Sequence, residues 1–153
     1  MNPAAYIRRE TGVSVVINTM LTLGFFLVAF GRSGAPVPVW GIGAYVFDFV
    51  PQGFMIGLMA SLVPGALAGK ALRSGRVAAV DAPSPLPSAL LLRSLLMAVG
   101  GAAAGVAISG GLLFALRLEQ LPWGGALAAK LVWAVVLAAL VTPAGLRAAL
   151  ARG

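Results

Sequence analysis

Four long apolar stretches, separated by short polar or proline-rich breaks, set the pattern of this chain. They run from Val13 to Phe30, from about Pro51 to Gly69, from Ser94 to Leu116, and from Trp123 to Thr142, where Pro143 ends the last. A helix needs roughly 20 residues to cross the hydrocarbon core of a bilayer, and each stretch is close to that length. The pattern predicts an all-α integral membrane protein of four transmembrane helices, arranged as two parallel-oriented hairpins in one membrane domain over residues 1–153. The first hairpin covers about 6–72, a cytoplasmic linker 73–88, and the second hairpin about 89–150. Ahead of the second helix, Val37 to Val50 is apolar but carries Pro38, Gly41 and Gly43 among Trp40, Tyr45, Phe47 and Phe49. It reads as an interfacial or re-entrant segment, or as an irregular start to that helix. The first stretch is expected to be an uncleaved helix, because a signal peptide has an apolar core of only about 7–15 residues.

Composition sharpens this picture. The chain is 60% hydrophobic and 10% charged, too few charges to solvate the surface of a water-soluble domain. It contains no histidine and no cysteine, which excludes thiol nucleophiles, disulfides, haem and iron–sulfur ligation, and the commonest general base. The four carboxylates, Glu10, Asp48, Asp81 and Glu119, are scattered along the chain. Phosphoryl transfer wants carboxylates grouped around magnesium, and glycoside hydrolysis wants two across a cleft. No catalytic residue, cofactor or metal ligand is therefore expected.

The net charge of +7 speaks for orientation rather than nucleic-acid binding. Arg8, Arg9, Lys70, Arg73, Arg76, Arg93, Arg147 and Arg152 fall on one side, and Arg32, Arg117 and Lys130 on the other. The positive-inside rule puts both termini and the Lys70–Ser88 loop in the cytoplasm, and suggests a multi-pass protein of a bacterial inner membrane. Trp40, Tyr45 and Trp123 then fall at the outer interface. The two halves suggest an old duplication: a shift of 79 residues sets Gly31 on Gly110, Ala60 on Ala139 and Pro64 on Pro143.

The clearest local pattern is a small residue at every fourth position, Gly53, Gly57, Ser61, Gly65 and Gly69, echoed by Gly101, Gly105 and Ser109, with a second row at Gly100 and Ala104. Such rows let helix backbones approach closely where lipid supplies no hydrophobic drive. They do not say whether the partner helix belongs to the same chain or to another. A second pattern is polar. Thr11, Ser14, Asn18 and Thr22 share one helical face, and Asn18 sits within the hydrocarbon, where it either bonds a neighbouring helix or contacts a substrate. Lys130 is the basic residue well inside an apolar span, about 10 Å from the outer surface at ~1.5 Å per residue. It either pairs with Asp48, with Gln52 as a further acceptor, or snorkels alone to the outer headgroups. Convergence of Asp48, Gln52, Lys130 and Asn18 would make the one polar cluster worth calling a site.

Asn18-Thr19-Met20 early in a first helix, Trp40 in the outer loop, Asp48 and Pro51 ahead of a second helix, and Met59 to Pro64 near its end resemble small two-helix bacterial inner-membrane families of uncharacterised function. The resemblance covers roughly residues 13–69 and implies a membrane hairpin, with no activity attached. The leading functional expectation is a non-enzymatic packing, scaffold or accessory subunit that associates through its glycine-rich faces. Its partners would be the lipid bilayer and a second copy or another membrane protein. The alternative is a small oligomeric transporter or channel with a polar path at Asp48, Gln52 and Lys130.

Overall fold

The computed structural model describes residues 1–81 and 83–151; Arg152, counted above among the basic residues, lies outside them. The elements are α1 (Pro3–Phe30), β1 (Val37–Pro38), α2 (Phe49–Arg73), α3 (Leu90–Ala115), β2 (Gln120–Leu121) and α4 (Trp123–Leu150). All four helices are long and apolar enough to cross a membrane. Their burial is inverted relative to a water-soluble bundle. Val16, Ile17, Met20, Val28, Ile108, Val132 and Leu140 lie on the outside, whereas Ser14, Asn18, Thr22, Ser61, Ser94, Lys130 and Thr142 are buried. That distribution fits lipid as the solvent, where polar groups must find their partners inside the bundle.

Several boundaries depart from the apolar pattern: α2 runs on to Arg73 and α3 already starts at Leu90, and three further departures have a clear local cause. α1 begins at Pro3 rather than Val13, because Asn2 caps it: the Ala4 amide donates to Asn2 Oδ1 at 2.9 Å, with proline in the first turn. Arg8, Arg9 and Glu10 thus extend the helix beyond its apolar part. α2 begins at Phe49, since the Asp48 amide already donates to the Ala44 carbonyl in a helical turn. α4 does not stop at Thr142; it runs through Pro143 to Leu150. The proline removes one backbone donor, but Thr142 and Leu146 on either side are fully buried, and such packing holds the helix together across the gap. Pro64 likewise lies inside α2.

α2 and α4 form the centre of the bundle. α1 packs on α4 and α3 packs on α2, while α1 scarcely touches α2 and α3 scarcely touches α4. Thr142 Oγ1 on α4 donates to Ser14 Oγ on α1 at 2.8 Å, and Ser94 Oγ on α3 donates to Ser61 Oγ on α2 at 3.2 Å. These two bonds correspond under almost the same displacement that relates the halves of the sequence.

The glycine row of α2 is spent within the chain. A Cβ on Gly53 would lie 2.5 Å from the Gly101 carbonyl oxygen of α3, and one on Gly57 would run into the Met97 carbonyl. Gly101 meets Gly53 in return, Gly105 accommodates the Phe49 ring, and Gly65 faces the Leu90 side chain. Gly69 faces only the Arg73 guanidinium, and Ser109 bonds back to the Gly105 carbonyl of its own helix. Ser61 also meets Gly145 of α4, with its hydroxyl oxygen 3.0 Å from where a Cβ would be. α2, α3 and α4 therefore close on one another around Ser61.

The α1–α2 and α3–α4 loops lie at one end of the bundle. β1 and β2 pair antiparallel there, Val37 opposite Leu121. The Trp40 indole donates to the Leu118 carbonyl at 3.0 Å, and the Trp123 indole to the Gly31 carbonyl at 3.1 Å. Trp40 thus ties the α1–α2 loop to the loop that follows α3, and Trp123, the first residue of α4, ties that helix to the end of α1. At the opposite end the N-terminal ammonium donates to the Arg76 carbonyl at 2.7 Å, and the Val80 amide to the Leu150 carbonyl at 2.8 Å. The Lys70–Ser88 connection is tied to both termini rather than standing off as a simple spacer.

Candidate functional site

The four polar residues singled out in the sequence line one cavity of about 200 Å³ between α1 and α2, with α4 as its back wall. It exists because α1 and α2 barely meet: each leans on α4 instead, and a gap remains along their seam. Phe25, Val28 and Met55, all strongly exposed, border it, so the gap opens sideways to the surface that lipid would cover.

Its polar part is built around Lys130. The side chain is 1% exposed, and Nζ lies 2.8 Å from Asp48 Oδ2. Its ammonium also sits 3.6 Å from the centre of the Phe49 ring and 4.9 Å from that of Tyr45. An ion pair plus two aromatic faces accounts for the buried charge without any reach to the headgroups, so pairing, not snorkelling, is what the geometry contains. Asp48 occupies the residue before α2 with its carboxylate unused as a helix cap. The backbone turn continues through it, as the Gln52 amide donates to the Asp48 carbonyl at 3.2 Å, and this sets the two side chains on one face.

Gln52 joins the three helices. Its Nε2 donates to Thr22 Oγ1 on α1 at 3.3 Å and, more weakly, to the Lys130 carbonyl on α4 at 3.4 Å. Its Oε1 is buried with no hydrogen-bond partner. Asn18 bonds within its own helix rather than across helices: Nδ2 donates to the Ser14 carbonyl at 2.8 Å and to Ser14 Oγ at 3.2 Å. The interhelical hydrogen bonds on that face are made by its neighbours Ser14 and Thr22. The polar end therefore carries a neutralised charge pair and an unused amide oxygen above otherwise apolar walls.

The pattern alone did not reveal Tyr45 and Phe49 as parts of this site. Tyr45 is 2% exposed, not an interfacial anchor, and its hydroxyl donates to the Ala126 carbonyl at 3.2 Å. Burial, and secondarily the Asp48 carboxylate, raises its phenol above the ordinary value of 10.0, so it remains a donor. The aromatics flanking Asp48 in the sequence, Tyr45 and Phe49, were the available signal, since a buried cation seeks ring faces as well as a carboxylate. No group of three or more His, Cys, Asp or Glu able to hold a metal occurs among the described residues. Compared with protein-family models, curated proteins and solved structures, the chain matches none.

Proposed function

We propose that this chain is a small, non-enzymatic polytopic protein of a bacterial inner membrane, with both termini cytoplasmic, and that it acts as a transporter-type carrier through the cavity between α1 and α2. The observation that carries this reading is the convergence of Asn18, Asp48, Gln52 and Lys130 on one cavity. A charge pair kept inside an apolar span is costly and commonly marks a substrate or ion path. The cavity runs from the loop end, at Asp48, towards the middle of α1, at Asn18. Under the proposed orientation it faces the outer leaflet.

The packing or scaffold role remains as a second reading on one observation: Gly100 on α3 faces open space, outside the rows used within the chain. A second copy or another membrane protein would be the partner on that face.

The absence of cysteine makes the test direct. Gln52→Cys, Ser33→Cys and Ser74→Cys are introduced singly into the full chain and exposed, in sealed vesicles of known sidedness, to a membrane-impermeant maleimide. The proposal expects Ser33→Cys and Gln52→Cys to label from the outer side and Ser74→Cys from the inner side. Labelling of Gln52→Cys from neither side, with both controls labelled, would remove the carrier reading. Reversal of the controls would remove the orientation.

A further inference from the structure

A second buried cation lies at the other end of the bundle, and it lacks the counter-charge that Lys130 has. Arg93, in the first turn of α3, is 2% exposed. Its Nη1 donates to the Pro87 carbonyl at 3.0 Å and, loosely, to the Ser88 carbonyl at 3.4 Å, while its Nε is buried with no partner. No carboxylate pairs with it among the described residues. A guanidinium withdrawn from water without an opposite charge is costly.

Its position makes the imbalance larger. The N-terminal end of a helix carries a positive partial charge and favours anions. α3 has Ala89 before its first residue, no side-chain cap and no acidic residue in its first turn. A cation, uncapped amides and the positive end of the dipole therefore coincide.

Arg93 and the first residue of α3, Leu90, line a pocket of about 490 Å³ together with Arg73, Ser84, Ser88, Gly65 and Gly69, and no Asp or Glu among the described residues is in its wall. Gly65 leaves room for the guanidinium: a Cβ there would stand 3.2 Å from Arg93 Nη2. The Arg73 guanidinium lies over Gly69 in the same way, 3.4 Å from where its Cβ would be. Ser84 Oγ accepts from the Leu86 amide at 3.2 Å, which keeps its own O–H available to donate. Two guanidinium forks, a hydroxyl and a helix N-terminus form a set of donors met only by neutral carbonyls, and a tetrahedral oxyanion supplies the missing negative charge.

We propose that this pocket binds a phosphate group, held by Arg93 and Arg73 at the N-terminus of α3. The inference is independent of the cavity at Lys130. The phosphate belongs either to an anionic phospholipid headgroup or to a soluble phosphate compound, and both present the same oxygens to the arginines.

The test uses the full chain in a neutral maltoside detergent, with its unfolding temperature followed under three additions. These are inorganic phosphate against chloride at equal ionic strength, phosphatidylglycerol in mixed micelles, and diacylglycerol as the phosphate-free control. The expected result is stabilisation by a phosphate-bearing probe and none by chloride or diacylglycerol. A response to phosphatidylglycerol alone assigns a lipid headgroup, and a response to inorganic phosphate assigns a soluble source. Arg73→Gln, at an exposed position, and Arg93→Lys, which keeps the charge but loses the fork, are each expected to weaken the response by about tenfold or more. Stabilisation by neither phosphate probe, or a response unchanged in both variants, would overturn the proposal.

Discussion

Replacing Gly57 with alanine adds one methyl group where α2 and α3 meet backbone to backbone. The new Cβ would overlap the Met97 carbonyl oxygen and lie 2.7 Å from its carbon and 2.8 Å from Ala98 Cα. All three are main-chain atoms, which no rotamer change can move aside, so the helices must separate locally by on the order of 0.5–1 Å. Overpacking of this kind costs about 1–3 kcal/mol, against which alanine returns at most about 1 kcal/mol in helix propensity. Gly53→Ala meets the Gly101 carbonyl at 2.5 Å and should behave alike. One separation of α2 from α3 relieves both clashes, so the double variant should cost less than the sum of the two singles. Gly100→Ala is the control: nothing lies within 4 Å of its Cβ, and it should be neutral or slightly stabilising. The assay is unfolding of the full chain in detergent, followed by circular dichroism alongside oligomeric mass. Gly57→Ala as stable as the parent chain would refute the internal contact. A drop in oligomeric mass with unchanged stability would move the glycine row to an interface between chains.

The remaining predictions concern the polar interior. Lys130→Met should destabilise the chain by about 1–3 kcal/mol, less than for a fully buried pair because the Asp48 carboxylate it strands is 26% exposed; combined with Asp48→Asn the loss should be clearly less than additive, and additivity would dismiss the ion pair. Thr142→Val removes the donor to Ser14 and should cost about 0.5–1.5 kcal/mol, measured by the same unfolding assay, with Ser14→Ala adding little more. Tyr45 carries a raised phenol value, so the stability it confers is complete below about pH 10 and is lost as the pH rises above that, where the unfolded chain ionises first. Tyr45→Phe should flatten that alkaline loss, and an unchanged pH profile would show that the phenol does not report on folding.

Much of the architecture could be read along the chain because the bilayer simplifies the problem. A helix that must satisfy its own backbone in hydrocarbon announces itself by length and hydropathy. The four apolar stretches accordingly match four helices, and the residues that later meet at the cavity could be named as unusual for such a setting. Ends were less legible. Asn2 extends α1 by capping it, and Pro143 fails to stop α4, because a cap is one hydrogen bond and a proline is tolerated wherever neighbours pack on both sides.

What the sequence determined by itself was composition-driven: four apolar helices, no thiol or imidazole chemistry, and a few polar groups that lipid would not tolerate unpaired. Only the tertiary structure decided which helix each of them faces. Small-residue spacing gives a face but not a partner, so the sequence left open that Gly53 and Gly57 are consumed by α3 of the same chain. It also left open whether Lys130 snorkels or pairs, because both depend on where Asp48 and the Phe49 ring sit relative to α4. The cavity itself follows from α1 leaning on α4 instead of on α2. That preference is a sum of contacts between residues far apart in the chain, and no local pattern records it.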